Sequence, residues 1–363
     1  MKAYILPRYV MRFAFVSMLG AVVGLWLLQM IFAYLSELEN LNDTYTFKEA
    51  WWFILYRSPY FLVQFLPTGI LLGAVVGLGM LANHSELVVM RASGVSIYRI
   101  IGYAMIPALL FVFVSLGVNQ FVLPITNQKA SAITSQTTKS NVIAVRGYWT
   151  LNQKENGSQE IVYISYADNQ GKLGDVKRYT LDNNANLIHA LSAKDGIYQH
   201  QKDKQYLWRL SDTNHVDISV QGVTQKHIEN QLLALPIAPT DVHLLTTDAD
   251  DLSVSDLYAH KRLMTHQGAR SLRHELAFWQ KLLSPFSVLS LVLLASSFVF
   301  GSLRSQGLGL RIVMALLTGL LFSYLTDLVG FVSLATGFSP FIMALLPIVI
   351  SAGVGVWLLN KRQ

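Results

Sequence analysis

Cysteine is absent from all 363 residues, which excludes a disulfide framework, a thiolate metal site and a thiol nucleophile. Charge is scarce as well: 14% of the residues are Asp, Glu, Lys or Arg, where a soluble globular chain carries about 25%. The phosphate-binding string G-x-x-x-x-G-K-[ST] does not occur, and Gly171-Lys172-Leu173 is no match, so energy from a nucleotide has to come from another subunit. His274-Glu275 lacks the second histidine of a zincin pair and the other histidines are scattered, so no metal site and no catalysis by this polypeptide are expected. A cleavable signal peptide is not evident, because the first apolar run, 13–35, ends in an acidic stretch rather than at small residues.

What the chain has in excess is apolar sequence, 52% of its residues, gathered in two blocks that flank a polar middle third from about 125 to 271. A helix crosses the hydrocarbon with roughly 20 apolar residues. Six segments fit: 13–35, 60–81, 100–123, 278–300, 312–332 and 340–359. Lys2, Arg8, Arg12, Arg91, Arg99, Arg304, Arg311, Lys361 and Arg362 fall on one side of these spans, with Glu86 as the acidic exception. By the positive-inside rule both termini are cytoplasmic and the middle region lies outside. The formal charge of +6 is then largely a consequence of topology, and no nucleic-acid partner is expected.

Within the middle region, β-branched and aromatic runs at 161–165, 206–210 and 216–220 alternate with turn signals at Asn156-Gly157, Asn183-Asn184 and Asp195-Gly196. The fold expected is an α-helical membrane protein of six transmembrane helices with an inserted all-β, jelly-roll-like domain. Its divisions are 1–124 for spans one to three, 125–254 for the β domain, 255–271 for a helical connector and 272–363 for spans four to six.

Between spans two and three, Asn83 to Gly94 reads as a short cytoplasmic helix, about 84–94, with Asn83 as cap, Glu86 reaching back and Gly94 as stop. Leu87, Met90 and Arg91 recur at helical spacing, which suits either docking into a partner's groove or lying on the bilayer surface. Gly69, Gly73 and Gly77 in span two, and Gly20 and Gly24 in span one, stand four residues apart and are read as close helix contacts.

The string Ser85-Glu86-Leu87-Val88-Val89-Met90-Arg91-Ala92-Ser93-Gly94, the glycine-rich segment 69–80 and Phe-Gly-Ser-Leu-Arg-Ser at 300–305 resemble the lipopolysaccharide export permeases, and the wording at 88–93 looks more like the G branch than the F branch. The resemblance covers essentially the whole chain. It implies a permease subunit in the bacterial inner membrane, with the β domain periplasmic, that belongs to an ATP-binding-cassette transporter. Such a subunit extracts lipopolysaccharide and passes it to a periplasmic bridge toward the outer membrane. The partners implied are an LptF-type paralogous permease, an LptB-type ATPase dimer that holds ATP and magnesium, an LptC-type single-span subunit and an LptA-type bridge protein. No cofactor is expected on this chain itself.

Carried over residue by residue, the resemblance assigns ATPase coupling to Glu86, with Leu87, Met90 and Arg91 beside it. It points to Phe32, Phe65, Leu66 and Phe322 for the lipid cavity. Arg270, Arg273 and Lys281, at the outer rim, are the candidates for the substrate's phosphates. Relatives often have a lysine near the outer end of span one, and residues 29–38 contain none here. Two rival classes are a secondary transporter, which calls for midplane ionisable groups or broken symmetric helices that the sequence does not clearly show, and a membrane scaffold for a periplasmic β domain.

Overall fold

Among the described residues, six helices are long and apolar enough to cross a bilayer: Ile5–Asn40, Phe47–Asn83, Ile97–Ile133, Leu272–Phe300, Leu308–Thr336 and Pro340–Asn360, called spans one to six. The computed structural model describes residues 5–41, 45–137, 148–153, 158–165, 172–183, 186–202, 205–219, 222–235, 244–245, 247–266, 270–300 and 306–361. Lys2, Lys139, Asn156, Gly157, Gly171, Asn184, Val220, residues 301–305 and Arg362 lie outside the described residues.

The helices outrun their apolar cores. Span two begins at Phe47, not near 60, because Thr46 and Glu49 form a capping box in which the Thr46 amide donates to the Glu49 carboxylate at 3.0 Å. Its 37 residues measure about 55 Å at 1.5 Å each, well beyond about 30 Å of hydrocarbon. Span three passes through a π-helical turn, Val118–Val122, and continues as the polar helix Leu123–Thr137.

Two compact units result, one of residues 1–127, 253–255 and 270–363, the other of 128–252 and 256–269. Spans two and four are the most buried helices of the first unit, whereas few residues of spans one and five are buried. The core joins Met18 and Val22 of span one, Ile70, Leu71, Ala74 and Leu78 of span two, Ile100 and Ala104 of span three, and Leu291, Val292 and Ala295 of span four.

Absence of a side chain makes this packing possible. A Cβ on Gly69 would meet Val22 at 2.7 Å, one on Gly73 would run into the Met18 backbone, and one on Gly77 would touch Ser17 at 3.1 Å. Span two's glycine stripe therefore seats span one, the close approach that small residues permit between membrane helices. Gly20 and Gly24 differ from the expectation: a Cβ there meets nothing within 4 Å, because they lie on the outward side of span one.

Among the described residues of the second unit, eight strands form one antiparallel sheet in the order β1-β2-β4-β5-β7-β6-β3, with β8 on the other edge of β7. They are β1 Tyr148–Gln153, β2 Gln159–Ile164, β3 Lys172–Leu173, β4 Val176–Leu181, β5 Leu187–Ala193, β6 Asp195–Lys202, β7 Gln205–Ser219 and β8 Gly222–Leu235. The runs at 206–210 and 216–220 look like separate strands in the sequence, but 206–210 and the described part of the second, 216–219, share β7. That strand pairs with β6 along its first part and with β5 from Asn214 to Asp217, changing neighbour near Asp212, whose φ is +53°. Alternation supplies the core: Val162 and Ile164, Leu191 and Ala193, Trp208 and Leu210 are buried together with Leu173, Val176 and Leu235. A helix, Val254–His266, follows the sheet.

Candidate functional site

A two-residue turn, His84-Ser85, separates span two from the helix Glu86–Ala92, called here the interspan helix. Asn83 is the last residue of span two rather than a cap. Ser85 takes that place at φ +61°, and a capping side chain reaches the first amides from extended backbone, not from the left-handed region. Glu86 consequently does not fold back; its Oε1 accepts a hydrogen bond from Tyr9 Oη of span one at 3.2 Å.

The other end stops as the sequence suggests. Gly94 has φ +90°, its amide donates to Arg91 O at 3.0 Å, and the Val95 amide donates to Met90 O at 3.1 Å. These two bonds make a Schellman closure, and Val95 packs against the core that holds Met90.

Two apolar side chains of the interspan helix point inward: Leu87 and Met90 are 4% and 5% exposed, inside the bundle's main core. Val88 and Val89 are 51% and 67% exposed, and Arg91 is exposed beside them. The structure thus divides the four residues chosen from the sequence. Leu87 and Met90 anchor the helix, Glu86 and Arg91 reach its outer side, and Val88 and Val89, not singled out in the sequence, supply the apolar surface there. Unbroken apolar sequence from 87 to 90 hides this division, although the three-residue step from Leu87 to Met90 marks one face.

Several contacts gather at this end of the first unit. Tyr98 Oη donates to Asn360 Oδ1 at 2.9 Å, tying the start of span three to the end of span six, and the Lys361 ammonium sits 4.6 Å from the Trp357 ring centre. Arg8, Arg12, Arg91, Arg99 and Lys361 stand on the elements that these contacts join. Arg311, counted among these basic residues in the sequence, is buried, with Nη1 directed at Gly79 O of span two at 3.5 Å.

The cavity candidates fall in different surroundings. Leu66 is buried in the core and Phe322 packs against it, Phe65 is half-buried, and Phe32 is exposed on span one. Of the outer cations, Arg270 forks onto Glu275, with Nη2 to Oε2 at 2.7 Å and Nε to Oε2 at 3.1 Å, so its charge is already matched by a carboxylate. Arg273 is exposed and Lys281 half-buried, on the first turns of span four.

A bundle of six spans, with an anchored helix at the end of span two and a β unit inserted after span three, defines a polytopic membrane protein. The family model described as lipopolysaccharide export system permease LptF/LptG matches residues 8–361, and the chain belongs to that family. It is 28% identical over 363 residues to the lipopolysaccharide export system permease protein LptG of Escherichia coli (strain K12), covering 99% of both chains. A relative of the same description from Haemophilus influenzae (strain ATCC 51907 / DSM 11121 / KW20 / Rd) is 28% identical over 365 residues, again across 99% of each. Membrane-spanning helices and this family together make the chain an inner-membrane protein.

Proposed function

We propose that this chain is the G-type permease subunit of an ATP-binding-cassette transporter that extracts lipopolysaccharide from the inner membrane and hands it to a periplasmic bridge. In this reading both termini are cytoplasmic and the β unit is periplasmic. An LptF-type paralogue pairs with it, an LptB-type ATPase dimer binds ATP and magnesium, and LptC-type and LptA-type proteins continue the route. No cofactor is assigned to this chain. Arg273 and Lys281 are placed at the substrate's phosphates, with Arg270 held in reserve by Glu275, and Phe32, Phe65, Leu66 and Phe322 are assigned to the cavity and the helices that shape it.

The observation that carries the reading is the interspan helix. Leu87 and Met90 fix it to the core, so a push on its outer side is transmitted into spans two and four rather than dissipated in a loose loop. Glu86, Val88, Val89 and Arg91 form that outer side, a small apolar patch flanked by both charges. A carboxylate at such a patch gains from a cationic or amide donor in the partner, since the bond strengthens as water leaves. The energy is needed because each buried methylene holds the lipid by about 0.8 kcal/mol, which adds up over several acyl chains. Nucleotide-driven closure of the ATPase would move the spans as packed bodies and expel the lipid outward.

A photo-crosslinking residue at position 89 tests the contact in the assembled transporter. It captures the ATPase subunit, whereas the same residue in place of Tyr258, exposed on the helix Val254–His266, does not. Capture from 258 but not from 89 in an intact complex contradicts the assignment.

A further inference from the structure

A cavity of about 500 Å³ opens between spans one and three, lined by Met11, Arg12 and Phe15 on one side and Ile106, Pro107 and Leu110 among those on the other. Phe15 stacks on Phe111 with ring centres 5.3 Å apart, which joins the two spans beside the cavity. Ile106, Leu110 and Phe113 on its rim are 53%, 54% and 66% exposed, so it faces away from the bundle core. The span-three lining from Ile106 to Phe113 covers about 10 Å of rise, roughly a third of the hydrocarbon thickness.

Its polar content is concentrated in one group. Arg12 lines the cavity, Arg8 lies one turn nearer the end of span one, and among the described residues no carboxylate pairs with either. An arginine stem lies comfortably along apolar surface while its guanidinium stays at the polar boundary. The cavity volume falls within the range of ordinary ligand sites, about 300–1,000 Å³.

We infer that this cavity is a binding site for an anionic glycerophospholipid, with one acyl chain between spans one and three and the phosphate on Arg12 and Arg8. The charge of the site selects the headgroup. A phosphodiester accepts a forked pair of hydrogen bonds from a guanidinium. A zwitterionic headgroup offers the same phosphate but brings a cation into the field of two arginines that no carboxylate among the described residues offsets, so it is disfavoured. The inference rests on the orientation proposed above only for the leaflet, which is then the cytoplasmic one. A lipid bound there is placed to wedge span one against span three, beside Tyr9 and its bond to Glu86.

The test uses the full-length chain in nanodiscs of equal dioleoyl-phosphatidylglycerol and dioleoyl-phosphatidylcholine, with retained lipids counted by native mass spectrometry. The glycerol lipid is expected in about fivefold preference per arginine engaged. Arg12→Gln removes that share of the preference, Arg12→Lys restores most of it, and Leu110→Trp, which fills the cavity without changing charge, lowers retention of both lipids. An unchanged ratio in Arg12→Gln, or undiminished retention in Leu110→Trp, overturns the site. Displacement of the phosphatidylglycerol by lipopolysaccharide, one for one, also overturns it in favour of a substrate subsite. No nucleotide and no ATPase subunit are present in this assay, so a failed lipid site and a failed coupling mechanism give different results.

Discussion

A methyl group is enough to separate spans one and two at Gly73, where the added Cβ collides with Met18 backbone that belongs to a rigid helix and has no soft direction to yield. Gly73→Ala is expected to cost about 1–3 kcal/mol, the range for overpacking a filled core. Gly20→Ala and Gly24→Ala, which meet nothing within 4 Å, are expected to leave the isolated chain's thermal unfolding midpoint in detergent unchanged. Equal effects at Gly73 and Gly20 would contradict the packing described here. The spacing of both stripes is plain in the sequence, but which stripe has a helix against it depends on how spans one and two rotate about their axes, and spacing alone does not set that rotation. The same holds at the interspan helix. Glu86 and Arg91 are legible as its polar residues, while the inward turn of Leu87 and Met90 follows from the bundle that receives them.

At the scale of elements, the long apolar runs identify six spans because crossing hydrocarbon demands length and composition together. Their polar extensions were less legible: Thr46-Phe47-Lys48-Glu49 carries the capping signal for span two, yet a hydropathy reading begins where the apolar run does. Strand β7 was hidden for a different reason. Asp212 interrupts the alternation without ending the strand, because β8 continues to pair on the other edge. The helix Val254–His266 provides a pH test. Burial pushes the His260 imidazole below its ordinary 6.5. Above that value the ring is neutral in both folded and unfolded chains, and its contribution to stability is complete. As pH falls below 6.5 the unfolded chain takes up a proton that the folded one resists, so stability declines. Amide protection in this helix, corrected for the fall of intrinsic exchange with pH, should therefore decline from pH about 7.5 to about 5.5, and His260→Asn should flatten the decline. A decline that persists unaltered in His260→Asn would assign it to another group.

For the whole molecule, the resemblance at 85–94 and the six-span pattern lead to the same family that the full-length comparison shows. In the function proposed above, transport is a property of an assembly, and the fold bears on it through the surface offered to the ATPase. The central claim is that force enters at Glu86 and leaves as lipid movement. ATP-dependent release of lipopolysaccharide from proteoliposomes, with the native chain compared with Glu86→Ala in the complete complex, tests it most directly. The account predicts release that requires ATP and falls at least about tenfold in the variant, the equivalent of about 1.4 kcal/mol of lost coupling, while the complex stays assembled and the bundle keeps its unfolding midpoint. Undiminished release would remove Glu86 from the mechanism, and an assembled, ATPase-active complex that releases no lipopolysaccharide would leave this chain a scaffold rather than an extractor.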